Sequence, residues 1–133
     1  MTESSANEKA LYDLEERTGS FGREIIRFVR TVSLTVITRP LIDQLVRSGT
    51  SIGANYCEAN DAESKNDFKH KIGICRKETR ETMHWLRMIT EASPENTKEV
   101  QRLWQEAKEL NLIFSAIVRS TAGIRHSHSD AHH

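Results

Sequence analysis

The stretch Gln44–Phe68, QLVRSGTSIGANYCEANDAESKNDF, decides the fold. Leu45, Ile52 and Tyr56, with Leu41 just upstream, fall at helical spacing. Small residues sit between them: Ser48, Gly49, Ser51, Gly53 and Ala54. An Ala-Asn-Asp-Ala break at 59–62 leads into Ser64-Lys-Asn-Asp67, where a serine stands three residues before a carboxylate, as at a helix N-terminus. The segment therefore predicts a closely packed helix, a short turn and a new helix. Interior glycine costs a helix about 1 kcal/mol relative to alanine, so Gly49 and Gly53 imply a neighbouring helix that needs the room. A phosphate-binding loop does not fit, since no strand precedes these glycines and no Gly-Lys-Ser/Thr follows.

Working outward, three more amphipathic stripes emerge. Leu14, Thr18, Phe21, Ile25, Phe28 and Val32 step by four and three, predicting a first helix over 13–32, weakened at Gly19 and Gly22. The link 33–39 is rich in β-branched residues but too short to form a sheet, so it reads as a loop capped by Thr38 or Arg39, with Pro40 in the first turn of a second helix over 40–59. Phe68, Ile72, Cys75, Thr79, Met83 and Leu86 line a third helix over 65–91, which Pro94 ends. Val100, Leu103, Ala107, Leu110, Phe114 and Ile117 line a fourth over 97–121, with Gly123 as a natural stop. Four such stripes on short connections predict an all-α, antiparallel up-down-up-down four-helix bundle over 13–122, between a flexible segment 1–12 and a His-rich disordered tail 123–133.

At 133 residues the chain is long enough for one domain with a real core. Lys plus Arg number 19 and Asp plus Glu 19, so net charge argues against indiscriminate phosphate binding while leaving a local basic patch open. No apolar run approaches the roughly 20 residues of a membrane span, and the polar start MTESSANEKA has no apolar signal core, so a cytoplasmic protein without membrane contact is expected. Cys57 and Cys75 are too few and too far apart for a zinc knuckle or redox pair and read as buried fillers. His126, His128, His132 and His133, with Asp130, could take up a metal, but no scaffold is evident to hold them, so no cofactor or metal is expected. His70 and His84 stand more than three turns apart on one helix and cannot share an ion.

The outer faces carry the functional signal. On the third helix Lys65, Lys69, Arg76, Arg80 and Arg87 share an arc of about 60°, while Glu63, Asp67, Glu78 and Glu81 gather elsewhere. Such a stripe suits phosphate or an acidic partner; a solvated face, with pairs such as Lys77 and Glu81, is the plain alternative. Ile74, Trp85 and Met88 lie off the core stripe of the same helix, and an exposed apolar patch there would mark a homo-oligomer interface. Trp104 and Ile113 stand at the margins of the fourth helix's inner face.

The run R-S-G-T-S-I-G-A-N-Y-C-E-A-N at 47–60, followed by S-K-x-D-F at 64–68, resembles the small four-helix-bundle proteins encoded in intervening sequences of bacterial 23S rRNA genes. Asp13-Leu14-Glu15-Glu16-Arg17-Thr18 before Phe21, and Lys77-Glu78-Thr79-Arg80-Glu81-Thr82 leading to Trp85-Leu86, match that family's first and third helices. The resemblance spans about Asp13 to Thr121. It implies a ring of copies, a pentamer, and an association with rRNA genes. A related group of bundles accompanies the reverse transcriptases of diversity-generating retroelements; those relatives look strongly basic, whereas this chain is neutral.

No nucleophile with its base and no H-E-x-x-H metal pattern occurs, so no enzyme activity is expected. Two readings remain: an oligomeric bundle that contacts RNA or DNA through the basic stripe, and an oligomeric scaffold, such as a reverse-transcriptase accessory, with no direct nucleic-acid role.

Overall fold

The computed structural model describes the backbone of residues 3–131 and the side chains of residues 13–120. Four helices follow one another: α1 (Glu3–Val29), α2 (Thr38–Asn60), α3 (Lys65–Ala92) and α4 (Thr97–Ala131), with a 3₁₀ turn at Pro94–Asn96 before the last. They form the expected antiparallel up-down-up-down bundle. The side chains of the segments 1–12 and 123–133, including the tail histidines and Asp130, lie outside the described residues.

The stripes read from spacing are the core. Leu14, Thr18, Phe21, Ile25, Phe28 and Val32 are all buried, as are Leu45, Ser48, Ile52 and Tyr56. Ile72, Cys75, Thr79 and Leu86 on α3, and Val100, Leu103, Ala107, Leu110 and Phe114 on α4, close the interior. The rings of Tyr56 and Phe114 meet at 6.1 Å, tilted by 49°, near its middle. Ile42 is buried while Leu41 is only half-buried, a shift of one residue along the expected α2 face.

α3 is the central helix, packed extensively on both α2 and α4. Its buried hydroxyls are hydrogen-bonded. Thr82 Oγ1 lies 3.0 Å from Ser48 Oγ, and the side-chain amide of Asn111 donates to Thr79 Oγ1 at 2.9 Å and to the Arg76 carbonyl at 3.2 Å. Arg47 reaches from α2 to Glu78 and Glu81 at 3.2 and 2.6 Å, so the carboxylates of α3 are drawn to its α2 side.

α1 meets α2 backbone to backbone. A Cβ on Gly49 would stand 3.0 Å from Ile25 Cγ1, and one on Gly53 would stand 3.4 Å from the Thr18 carbonyl. Gly22 faces the Thr50 Cα from the other side, so the glycines that weaken α1 in isolation admit α2 in the bundle. The α1–α4 seam differs: these helices barely touch. Arg17 spans it to Glu106 and Glu109, and Arg102 spans it to Glu24.

Three local expectations change. The N-cap of α2 is Thr35, one turn before the expected Thr38 or Arg39. Its Oγ1 accepts from the Ile37 and Thr38 amides at 3.2 and 3.0 Å, its carbonyl accepts from the Arg39 amide, and Thr38 Oγ1 accepts from the Thr35 amide at 2.9 Å. This is a reciprocal capping box built from two threonines. Cys57 is exposed, because one step beyond buried Tyr56 turns it by about 100° to the edge of α1, where its Sγ lies 3.2 Å from Glu15. Burial pushes only Cys75 up strongly, to about 12. Finally, α4 runs on through Gly123, since glycine tolerates helical geometry as well as ending it.

Two outcomes are expected. Gly49→Leu forces a side chain into Ile25 and destabilises by about 3 kcal/mol in urea unfolding, whereas Gly73→Ala, facing open space on α3, stabilises by up to about 1 kcal/mol. Hydrogen bonding from Arg17 holds the Glu106 carboxylate below its ordinary value against the opposing effect of burial. The unfolded chain therefore takes up this proton first as acid is added. The pair's contribution is complete above the ordinary carboxylate range and is lost as pH falls below it. Arg17→Gln accordingly shows a smaller loss of stability between neutral and acid pH than the parent chain in parallel melts.

Candidate nucleic-acid interface

The helix that carries the basic stripe begins cleanly. Ser64 is extended and its hydroxyl accepts from the Asp67 amide at 3.1 Å, which sets the register of α3 from its first turn. Burying Ile72, Cys75, Thr79 and Leu86 then fixes which way every other side chain of the helix points.

The arc beside that buried stripe carries Lys65, Lys69, Arg76, Arg80 and Arg87. Lys69 and Arg76 are half-buried at the edge of α4, and Lys65, Arg80 and Arg87 are exposed. Lys69, Gly73, Arg76, Lys77, Arg80 and Glu81 line a surface groove of about 450 Å³, with Val118 of α4 as its far wall. Gly73 leaves its centre open, since a Cβ there would meet nothing within 4 Å.

α4 extends this face, which the sequence reading placed on α3 alone. Trp104 lies under the guanidinium of Arg87, 5.1 Å from its ring centroid, and the Lys108 ammonium stands 5.5 Å from the same centroid. Arg119 follows Val118 and stands eleven residues, about three turns, beyond Lys108, so it shares Lys108's side of the helix. The face thus presents Lys69, Arg76, Lys77, Arg80, Arg87, Lys108 and Arg119. Among the described residues, none of these seven cations is in an ion pair. The ion pairs use Arg17, Arg23, Arg47, Lys71 and Arg102 instead.

Apart from Glu81 at the groove's edge, which Arg47 engages, the carboxylates gather elsewhere. Asp13, Glu16, Glu24, Glu106 and Glu109 line the α1–α4 cleft, about 590 Å³ in volume, together with Arg17 and Arg102. In a chain with no net charge, the α1–α4 cleft is thus rich in carboxylates and the α3–α4 face rich in cations. The eleven-residue spacing of Lys108 and Arg119 puts them on one side of α4, but the sequence does not give which neighbour that side meets.

The expected oligomer residues are less exposed than their spacing suggests. Ile74 and Trp85 are half-buried. Trp85 packs on the core with its indole N–H enclosed and unpaired, and the His84 ring sits edge-on at 4.8 Å. Met88 is exposed. A more prominent apolar feature is the α1–α2 turn, where Leu34, Val36 and Ile37 are 65, 93 and 67% exposed. The Thr35–Thr38 box holds them outward. The β-branched character of Val36 and Ile37 was legible; that the turn faces them to solvent was not.

His70 and His84 are exposed on α3. Among the described residues no three His, Cys, Asp or Glu side chains converge as metal ligands do, and no helix is long and apolar enough to cross a membrane.

Comparison with known proteins agrees with this architecture. A crystal structure of a protein with unknown function from the S23 ribosomal protein family of Bacteroides thetaiotaomicron VPI-5482 superposes with a TM-score of 0.69 at 29% sequence identity, covering 79% of this chain and 97% of that one. No curated protein matches the chain. The family profile described as 23S rRNA-intervening sequence protein matches residues 15–116, which include nearly all of the buried core. The chain belongs to the 23S rRNA-intervening sequence protein family.

Proposed function

We propose that this protein is a non-catalytic, cytoplasmic, self-associating bundle that contacts RNA or DNA through its α3–α4 face. One observation carries the reading: among the described residues, seven cations that form no ion pair crowd one face of a chain whose net charge is zero. Unpaired surface cations repel one another, and a polyanion that neutralises them releases its own counterions in exchange. A face laid down for solubility alone would intersperse the two signs, as α1 does with Arg23 and Glu16. The family's description, which names an rRNA intervening sequence, supports the same chemistry.

Self-association strengthens the reading, because several copies would present several such faces to one polymer. The exposed Met88 and the turn at Leu34, Val36 and Ile37 supply apolar surface for it, and the family resemblance implies a pentamer. That same turn favours a second reading, an oligomeric scaffold for a protein partner with no nucleic-acid role.

Two experiments separate these. Lys69→Glu, Arg76→Glu and Arg80→Glu together should weaken a salt-dependent RNA mobility shift at least about tenfold while helix content stays unchanged. A parent chain that shifts neither RNA nor DNA at low salt would leave the scaffold reading. Val36→Glu with Ile37→Glu should lower the mass seen by light scattering to that of the single chain; a parent chain already at that mass would remove self-association from the proposal.

A further inference from the structure

We infer that the α3–α4 face takes the phosphate backbone of a double helix, without reading its bases, in preference to a single strand. The inference rests on the nucleic-acid reading above and adds the class of polymer. Two features of the face decide it.

The first is the state of its tryptophan. Binding to unpaired strands draws much of its strength from bases stacked on aromatic side chains in a basic groove. On this face Trp104 is already engaged, with Arg87 over the ring at 5.1 Å and Lys108 at 5.5 Å. The other tryptophan, Trp85, is packed against the core. No described Phe, Tyr or Trp on this face is free to accept a base. An incoming base would have to displace a cation that the phosphate backbone itself attracts.

The second feature is the layout of the charges. Lys69, Arg76, Arg80 and Arg87 run in a line along α3, and at 1.5 Å rise per residue they extend over about 27 Å. Lys108 and Arg119 form a second line on α4, about 8–10 Å away at the usual separation of packed helices. Beside the α3 row an open groove at Gly73 reaches Val118 of α4. Two parallel rows meet two phosphate strands at once, and only a duplex holds two strands at a fixed spacing. The donors along both rows are Lys and Arg with no Asn or Gln in the groove wall, so the groove supplies charge rather than base-edge recognition.

The test compares an RNA duplex of about 20 base pairs, its DNA counterpart and one unpaired strand of non-self-pairing sequence, titrated against the full chain at low salt. The duplexes should bind at least about tenfold tighter than the strand, with affinity nearly independent of sequence and tryptophan emission unchanged throughout. Equal binding of the two duplexes and a preference for RNA both sustain the inference; the latter assigns the rows to A-form spacing. Lys108→Glu with Arg119→Glu, two exposed positions, should cost the duplex about tenfold and the strand much less. A strand that binds tighter than either duplex, quenched tryptophan emission, or equal losses for duplex and strand in the α4 variant would overturn the inference while leaving nucleic-acid binding in place. Absence of binding to all three polymers would overturn the function proposed above as well.

Discussion

The burial of one stripe of α3 between α2 and α4 is the constraint on which the rest depends. Ile72, Cys75, Thr79 and Leu86 leave water together, and a helix is rigid enough that this fixes the direction of every other residue on it. The carboxylates Glu78 and Glu81 then fall toward α2, where Arg47 meets them. The cations fall toward α4, where nothing negative waits. Fold and charge pattern thus have a single origin, and moving the stripe by one residue would rotate both.

The charge division has an energetic logic. Exposed ion pairs contribute at most about 1 kcal/mol each, so the bundle gains little by pairing every surface charge. It places pairs where helices need them: Arg47 joins α2 to α3, Lys71 joins α3 to α2 through Glu58, and Arg17 and Arg102 join α1 to α4. Among the described residues no ion pair joins α3 to α4. There Asn111 and Thr79 provide a neutral hydrogen bond, and Trp104 fills the margin. Beyond the contacts of Arg87 and Lys108 with the Trp104 ring, the cations above that seam are left free of structural pairing.

Helix number, order and core faces were legible because each rests on a local rule, the period of apolar residues, and that rule held along all four helices. The Ser64 cap was legible for the same reason. Thr35 was not, because its partner is another threonine instead of the usual glutamate or glutamine, so the capping box hid inside a β-branched run. The α3 stripe could be drawn on a wheel, but its continuation through Lys108 and Arg119 depends on which side of α4 faces α3. That is a tertiary fact, set by how Asn111 and Val118 pack. Trp85 misled for a related reason: it stands off the heptad positions yet is large enough to fold back onto the core.

The α1–α4 seam has a consequence for motion. Three walls of the bundle close by apolar interdigitation or intimate backbone approach; the fourth is laced by guanidinium–carboxylate contacts across a cleft. Contacts of that kind loosen with salt, whereas packed methyl groups do not. Excursions away from the native state therefore begin by parting this wall, exposing the flanks of Phe21 and Phe114 while the α2–α3–α4 layer stays assembled. Amide exchange would register it as a gradient of protection running across the molecule instead of along it.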